Sequence, residues 1–154
     1  MNSDKIFVQI ASYRDPQLIP TIEDMIHKAK EPWNLVFGIC WQYDDTEDVD
    51  RYDNNPQFRV SKHHYSESQG LGWARHITNT LYDDEEFTLQ IDSHHRFVQD
   101  WDVIVLEDFN QALMIADKPI KQLDFSEPCA IVMGGEEHGV HPALMKICDA
   151  SFKI

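Results

Sequence analysis

The chain has 154 residues with 13 Lys and Arg against 27 Asp and Glu, a formal net charge of −14. That charge argues against a nucleic-acid or anionic-membrane surface, since both need basic patches. Hydrophobic residues make up 42% and aromatics 11%, enough for the core of one domain, or of one domain and a fragment.

The residues Met1-Asn-Ser-Asp-Lys5 lead directly into an apolar stretch, so no signal peptide is expected. Nor does any apolar run approach membrane-spanning length. Three scattered cysteines, Cys40, Cys129 and Cys148, form no Cys-x-x-Cys pair and read as reduced thiols of a cytoplasmic protein.

In chain order, Ile6 to Ala11 is a strand ending at Ser12. Asp15-Pro16 then supplies an N-cap and a proline at the first helical position. Leu18, Ile22, Met25, Ile26 and Ala29 share one face of a helix over 16–30, which Pro32 ends. Leu35 to Cys40 is the second strand. Between Tyr43 and Pro56 lie Asp44, Asp45, Glu47, Asp48, Asp50 and Asp53 against Arg51 alone, which reads as a solvated, mobile loop. It lacks the glycine and terminal glutamate of a calcium loop. Phe58 to Ser61 is a short strand, 71–82 a helix, Phe87 to Ile91 a buried strand, and Trp101 to about Leu113 a helix. This alternation predicts an α/β fold: an open, largely parallel sheet with helices on both faces and ligands at the strands' carboxyl ends.

The chemistry concentrates at two places. Asp92 and His94 end the fourth strand as Asp-x-His. They set a hard oxygen donor beside an imidazole and leave positions open for a diphosphate. The plain alternative is a polar strand end making turn hydrogen bonds. Gly70-Leu-Gly-Trp-Ala-Arg75 is a glycine-led entry into a helix, of the kind that lets backbone approach phosphate. For Arg75, a surface salt bridge competes with a substrate contact. Trp33, Trp41, Trp73 and Trp101 read as packing residues, with Trp41 or Trp73 able to flank a nucleotide. His63, His64 and His95 read as surface or turn residues.

Ile10-Ala-Ser-Tyr-Arg-Asp-Pro16, Gly70-Leu-Gly-Trp-Ala-Arg-His76 and Gln90-Ile-Asp-Ser-His-His-Arg-Phe97 together resemble the glycosyltransferases that attach α-linked N-acetylglucosamine to a protein hydroxyl. The second and third pieces are also similar to those of polypeptide N-acetylgalactosaminyltransferases. The resemblance spans about residues 5 to 109. It implies a nucleotide-diphospho-sugar (GT-A) fold, truncated here, over residues 1–110. It also implies a UDP-sugar donor, UDP-N-acetylglucosamine, a hydroxyl acceptor on a protein or glycan, and a divalent metal, manganese or magnesium. By the same resemblance Asp92 and His94 hold the metal, and Arg75 is catalytic at the sugar or phosphates. Ser12, Tyr13, Arg14 and Asp15, with Gly70 and Gly72, bind the donor. His95 stands where the family often has an apolar residue.

Residues 111–154 read differently. Pro128 to Val140, with Gly134-Gly-Glu-Glu-His-Gly139, and the following Pro142 to Asp149 resemble a fragment of trefoil-knot RNA 2′-O-ribose methyltransferases. That resemblance implies a β-loop-α-β tail packed on the same sheet, and S-adenosylmethionine as an alternative cofactor. Five acids and two lysines over 124–154 make it a poor RNA surface, and the three glycines read as turn residues. A methyltransferase fragment and a non-catalytic nucleotide-binding fragment are therefore the alternatives to a glycosyltransferase. With no acceptor-binding residues matched after Phe109, slow hydrolysis of a UDP-sugar is the most turnover the sequence leads one to expect.

Overall fold

A computed structural model describes residues 5–115. Four strands form one sheet: β1 (Ile6–Tyr13), β2 (Leu35–Tyr43), β3 (Phe58–His64) and β4 (Phe87–Asp92). Their order is β3-β2-β1-β4, and every pairing is parallel. Helices α1 (Leu18–Lys28) and α2 (Leu71–Thr80) provide two of the crossovers, and α3 (Trp101–Ile115) follows β4. Of the described residues, 5–103 belong to one compact unit and 104–115 to a second. The methyltransferase-like stretch lies outside the described residues.

The sheet's two faces differ in chemistry. Ile6, Val8 and Ile10 of β1 alternate onto one face with Leu35, Phe37, Ile39 and Trp41 of β2, each at most 2% exposed. This face is the core, continued by Phe58 stacked on Phe37 at 4.8 Å and Tyr52 stacked on Phe58 at 4.1 Å. The opposite face carries Gln9, Gly38, Arg59 and Gln90. Helix α2 covers it, with Thr78 Oγ1 donating to Gln9 Oε1 at 3.4 Å. Gly38 is needed there because a Cβ would lie 2.2 Å from Cζ of Phe7. Strand β1 leads to β2 on one side, while β3 leads to β4 on the other. Right-handed crossovers then place α1 and α2 on opposite faces. Leu18, Ile22 and Met25, each at most 1% exposed, are the apolar stripe that α1 contributes to the core.

Several expectations need correction. Helix α1 begins at Leu18 and ends at Lys28, because Asp15 is drawn elsewhere and Pro16-Gln17 form a turn. Strand β3 runs on to His64, and the end of β2 reaches Tyr43. Strand β4 is not buried. Among the described residues it is an edge strand, and Thr88, Gln90 and Asp92 are exposed.

The acidic segment after β2 is not loose either. Glu47 accepts from Trp41 Nε1 at 3.0 Å and from the Asp44 N–H at 2.9 Å. Lys62 pairs with Asp50 at 2.8 Å and with Asp53, Arg51 pairs with Glu23, and Tyr52 is buried. The segment is anchored because Lys62 of β3 meets two of its acids, Trp41 of β2 meets a third, and its own Arg51 reaches α1.

Candidate functional site

In an open parallel sheet, ligands enter beyond the carboxyl ends of the strands, at the point where strand order reverses. Here that point lies between β1 and β4. The segment Ser12–Asp15 leaves β1 on one side of it, and Asp92–His95 leaves β4 on the other. Two of the three expected motifs therefore face each other across the switch point. The third, Gly70–Arg75, begins the helix laid over the polar face.

A single carboxylate joins the first two. Asp15 Oδ2 accepts from Ser93 Oγ at 2.6 Å and lies 3.0 Å from His94 Nδ1, while Oδ1 accepts from the Gln17 N–H at 2.9 Å. Burial pushes the Asp15 carboxyl up, but the hydrogen bonds from Ser93, His94 and Gln17 outweigh it and hold it below the usual range. The expected N-cap is thus an Asx turn whose free oxygen reaches the Asp-x-His loop.

That loop is clamped to α1. Buried Thr21 donates to the Ser93 carbonyl at 2.9 Å and accepts from the His95 N–H at 3.2 Å. Asp24 accepts from the Phe97 N–H at 2.7 Å, and Lys28 donates to the Phe97 carbonyl at 2.7 Å. The hydrogen bonds from Lys28 and Phe97 lower the Asp24 carboxyl. Asp100 takes a left-handed backbone, φ 58°, where the chain turns into α3, and Asp102 then accepts from the Lys30 and Glu31 N–H groups at 2.9 and 2.8 Å.

Asp92 ends β4 with its side chain 56% exposed, and Arg75 Nη2 stands 3.8 Å from Oδ1. With its amide assigned by hydrogen-bond logic, Gln90 offers its oxygen to Arg75 Nε at 3.1 Å and Nη2 at 3.3 Å. Strand alternation sets Gln90 and Asp92 on one face, and Arg75 spans both from α2. Both readings of Arg75 keep a foothold: it makes a salt bridge, and that bridge is with a residue of the Asp-x-His pair.

The remaining donor-loop residues divide. Ser12 is fully buried, with its hydroxyl unpaired among the described residues, so only its backbone faces the edge. Tyr13 is 52% exposed. Arg14 has a left-handed backbone, φ 47°. Its guanidinium lies 4.5 Å over the Tyr65 ring, and Nε is 3.4 Å from Asp44 Oδ2. Gly70 caps α2 at φ 91°, and neither Gly70 nor Gly72 would bring a Cβ within 4 Å of another atom. The start of α2 is therefore open to close approach. Trp41, 1% exposed, belongs to the core and cannot flank a ligand. Trp73 is half-buried and packs edge-on against His63 at 4.8 Å.

Among the described residues, no group of three or more His, Cys, Asp and Glu side chains could hold a metal ion. The Asp92 carboxylate, beside Arg75, and the His94 ring, beside Asp15, are the acid and imidazole at the end of β4. They do not make a closed protein cage. Sequence reading missed Thr21, Asp24 and Lys28, whose helical spacing shows a solvent-side face but not the loop docked on it. It also missed Gln90, although its position two residues before Asp92 marks it as sharing that face.

The fold and the edge define the class: a parallel α/β protein that presents acid, imidazole and guanidinium side chains at its topological switch point. Residues 5–52 and 45–120 match the family Glycosyltransferase (GlcNAc). This is most of the chain, which belongs to that glycosyltransferase family. No curated protein and no solved structure matched. Among the described residues, no helix is long and apolar enough to cross a membrane.

Proposed function

We propose that the edge between β1 and β4 binds a UDP-sugar, UDP-N-acetylglucosamine in the first instance, for transfer to a hydroxyl acceptor on a protein or glycan. Asp92 and His94 hold a divalent cation, manganese or magnesium, against the diphosphate. What supports this reading is an Asp92–Arg75 pair and a His94–Asp15 pair at the two loops of the switch point, in a chain of a glycosyltransferase family.

A departing nucleoside diphosphate gathers negative charge, which a cation offsets when bound. Arg75, held by Gln90 and 3.8 Å from Asp92, would supply a second positive group beside it. Gly70 and Gly72 leave the first N–H groups of α2 accessible to an anionic group. Tyr13 and Arg14, just beyond the core of β1, would meet the nucleoside. A net charge of −14 makes these local cations necessary for an anionic donor.

Thermal shift tests the reading. UDP-N-acetylglucosamine with manganese should raise the melting temperature, since binding to the native state stabilises it. S-adenosylmethionine should leave it unchanged. A shift with S-adenosylmethionine and none with any UDP-sugar would reverse the assignment.

A further inference from the structure

We infer that Asp15 is a positioning residue that fixes the tautomer of His94, so that the outer ring nitrogen, Nε2, offers its lone pair to the cation. This rests on the reading of Asp92 and His94 as the cation site.

A carboxylate can only accept, so the 3.0 Å contact between Asp15 Oδ2 and His94 Nδ1 requires the ring proton on Nδ1. The neutral ring then carries its lone pair on Nε2. Among the described residues Nε2 makes no hydrogen bond, and the His94 side chain is 63% exposed. The carboxylate cannot easily turn away. Its Oδ1 is held by the Gln17 N–H at 2.9 Å, and Oδ2 also takes the Ser93 hydroxyl at 2.6 Å. Ser93 is itself 5% exposed, and its carbonyl is fastened by Thr21. An imidazole oriented from behind by an anchored carboxylate is how proteins hold a metal-binding histidine in register. The arrangement spans the two loops of the switch point and has no evident use in packing, since its ring end is exposed.

The substitution Asp15→Asn has a directional consequence. The Gln17 N–H keeps an oxygen at the Oδ1 position, so the amide nitrogen falls at the Oδ2 position, facing His94. Nδ1 must then accept, the ring proton moves to Nε2, and the outer lone pair is lost.

The test uses the whole chain. Long-range nitrogen-proton NMR of the histidine rings, with His94→Gln for assignment, reads the tautomer without metal. Free manganese, followed by electron paramagnetic resonance in the presence of UDP, reads binding. Expected are the Nδ1–H form in the wild type, the Nε2–H form in Asp15→Asn, and manganese binding weakened about ten- to a hundredfold in that variant.

An Nε2–H ring in the wild-type protein overturns the inference without any variant, so the test survives if Asp15→Asn fails to fold. Wild-type manganese affinity in Asp15→Asn alongside weakened binding in Asp92→Ala overturns the role of Asp15 alone. Unchanged affinity in Asp92→Ala overturns both this inference and the site reading beneath it.

Discussion

Glu85 shows how a single carboxylate anchors the fold away from the site. Its side chain is 3% exposed and accepts from Arg59 at 2.5 Å, while Arg59 also donates to the Leu81 carbonyl. Burial raises the Glu85 carboxyl, but the bonds from Arg59 and the Asp83 N–H overcome this and lower it. Replacing it by Gln leaves a half-buried guanidinium with only the exposed Asp83 carboxylate, 3.9 Å away, as counter-charge. The expected loss is about 1–3 kcal/mol, discounted toward the lower end because Arg59 is partly solvated. Urea unfolding of Glu85→Gln measures it, and a midpoint equal to wild type would show the pair to be idle. At the same scale Cys40, buried on β2, has its thiol pushed up to about 11 by burial, so it is an inert packing group at neutral pH.

Helix α2 separates stability from binding through its two glycines. Gly70 sits at φ 91° and ψ 176°, a region open essentially to glycine alone, so Gly70→Ala should cost about 1–3 kcal/mol. Gly72 lies within the helix with open space around it, and Gly72→Ala should gain about 0.5–1 kcal/mol of helix propensity. If backbone there meets a phosphate, the same methyl group weakens UDP binding. A variant with a higher melting temperature and a lower UDP affinity is the expected outcome. Unchanged affinity would remove Gly72 from the donor site.

The elements themselves were largely legible. Apolar runs marked β1 and β2 because both are covered on two faces, and periodicity marked α1. Strand β4 looked buried in sequence because Phe87, Leu89 and Ile91 are apolar, but the polar residues between them face outward at a sheet edge. The acidic segment looked mobile because sequence shows its charges but not that Lys62 of β3 and Arg14, just after β1, reach them, or that Arg51 ties the segment to Glu23 of α1. Asp15 was legible as a turn residue; its second oxygen's partners, 78 and 79 residues away, were not, since nothing local specifies them.

For the molecule as a whole, the carboxylates of Asp15, Asp24 and Glu85 are all held below their ordinary values. A group with a lowered native value contributes stability above its unfolded value, near 4, and loses it as pH falls through the native value. Stability should therefore be flat through neutrality and decline below about pH 4.5. Chemical unfolding across pH 3 to 7 checks this, and stability that increases on acidification would contradict the sign. Because Asp15 and Asp24 also hold the Asp-x-His loop, that loop should loosen in the same acid range. Amide exchange at residues 93–97, compared with the strands β1 and β2, follows it directly.

We propose that this glycosyltransferase-family chain binds its donor through a cation at Asp92 and His94. Calorimetry of UDP binding to the whole protein, with manganese and with chelator, for the wild type and Asp92→Ala, tests it most directly. Manganese-dependent binding that Asp92→Ala weakens tenfold or more, about 1.4 kcal/mol, is expected. Equal affinity with and without manganese, or in the wild type and the variant, would contradict it.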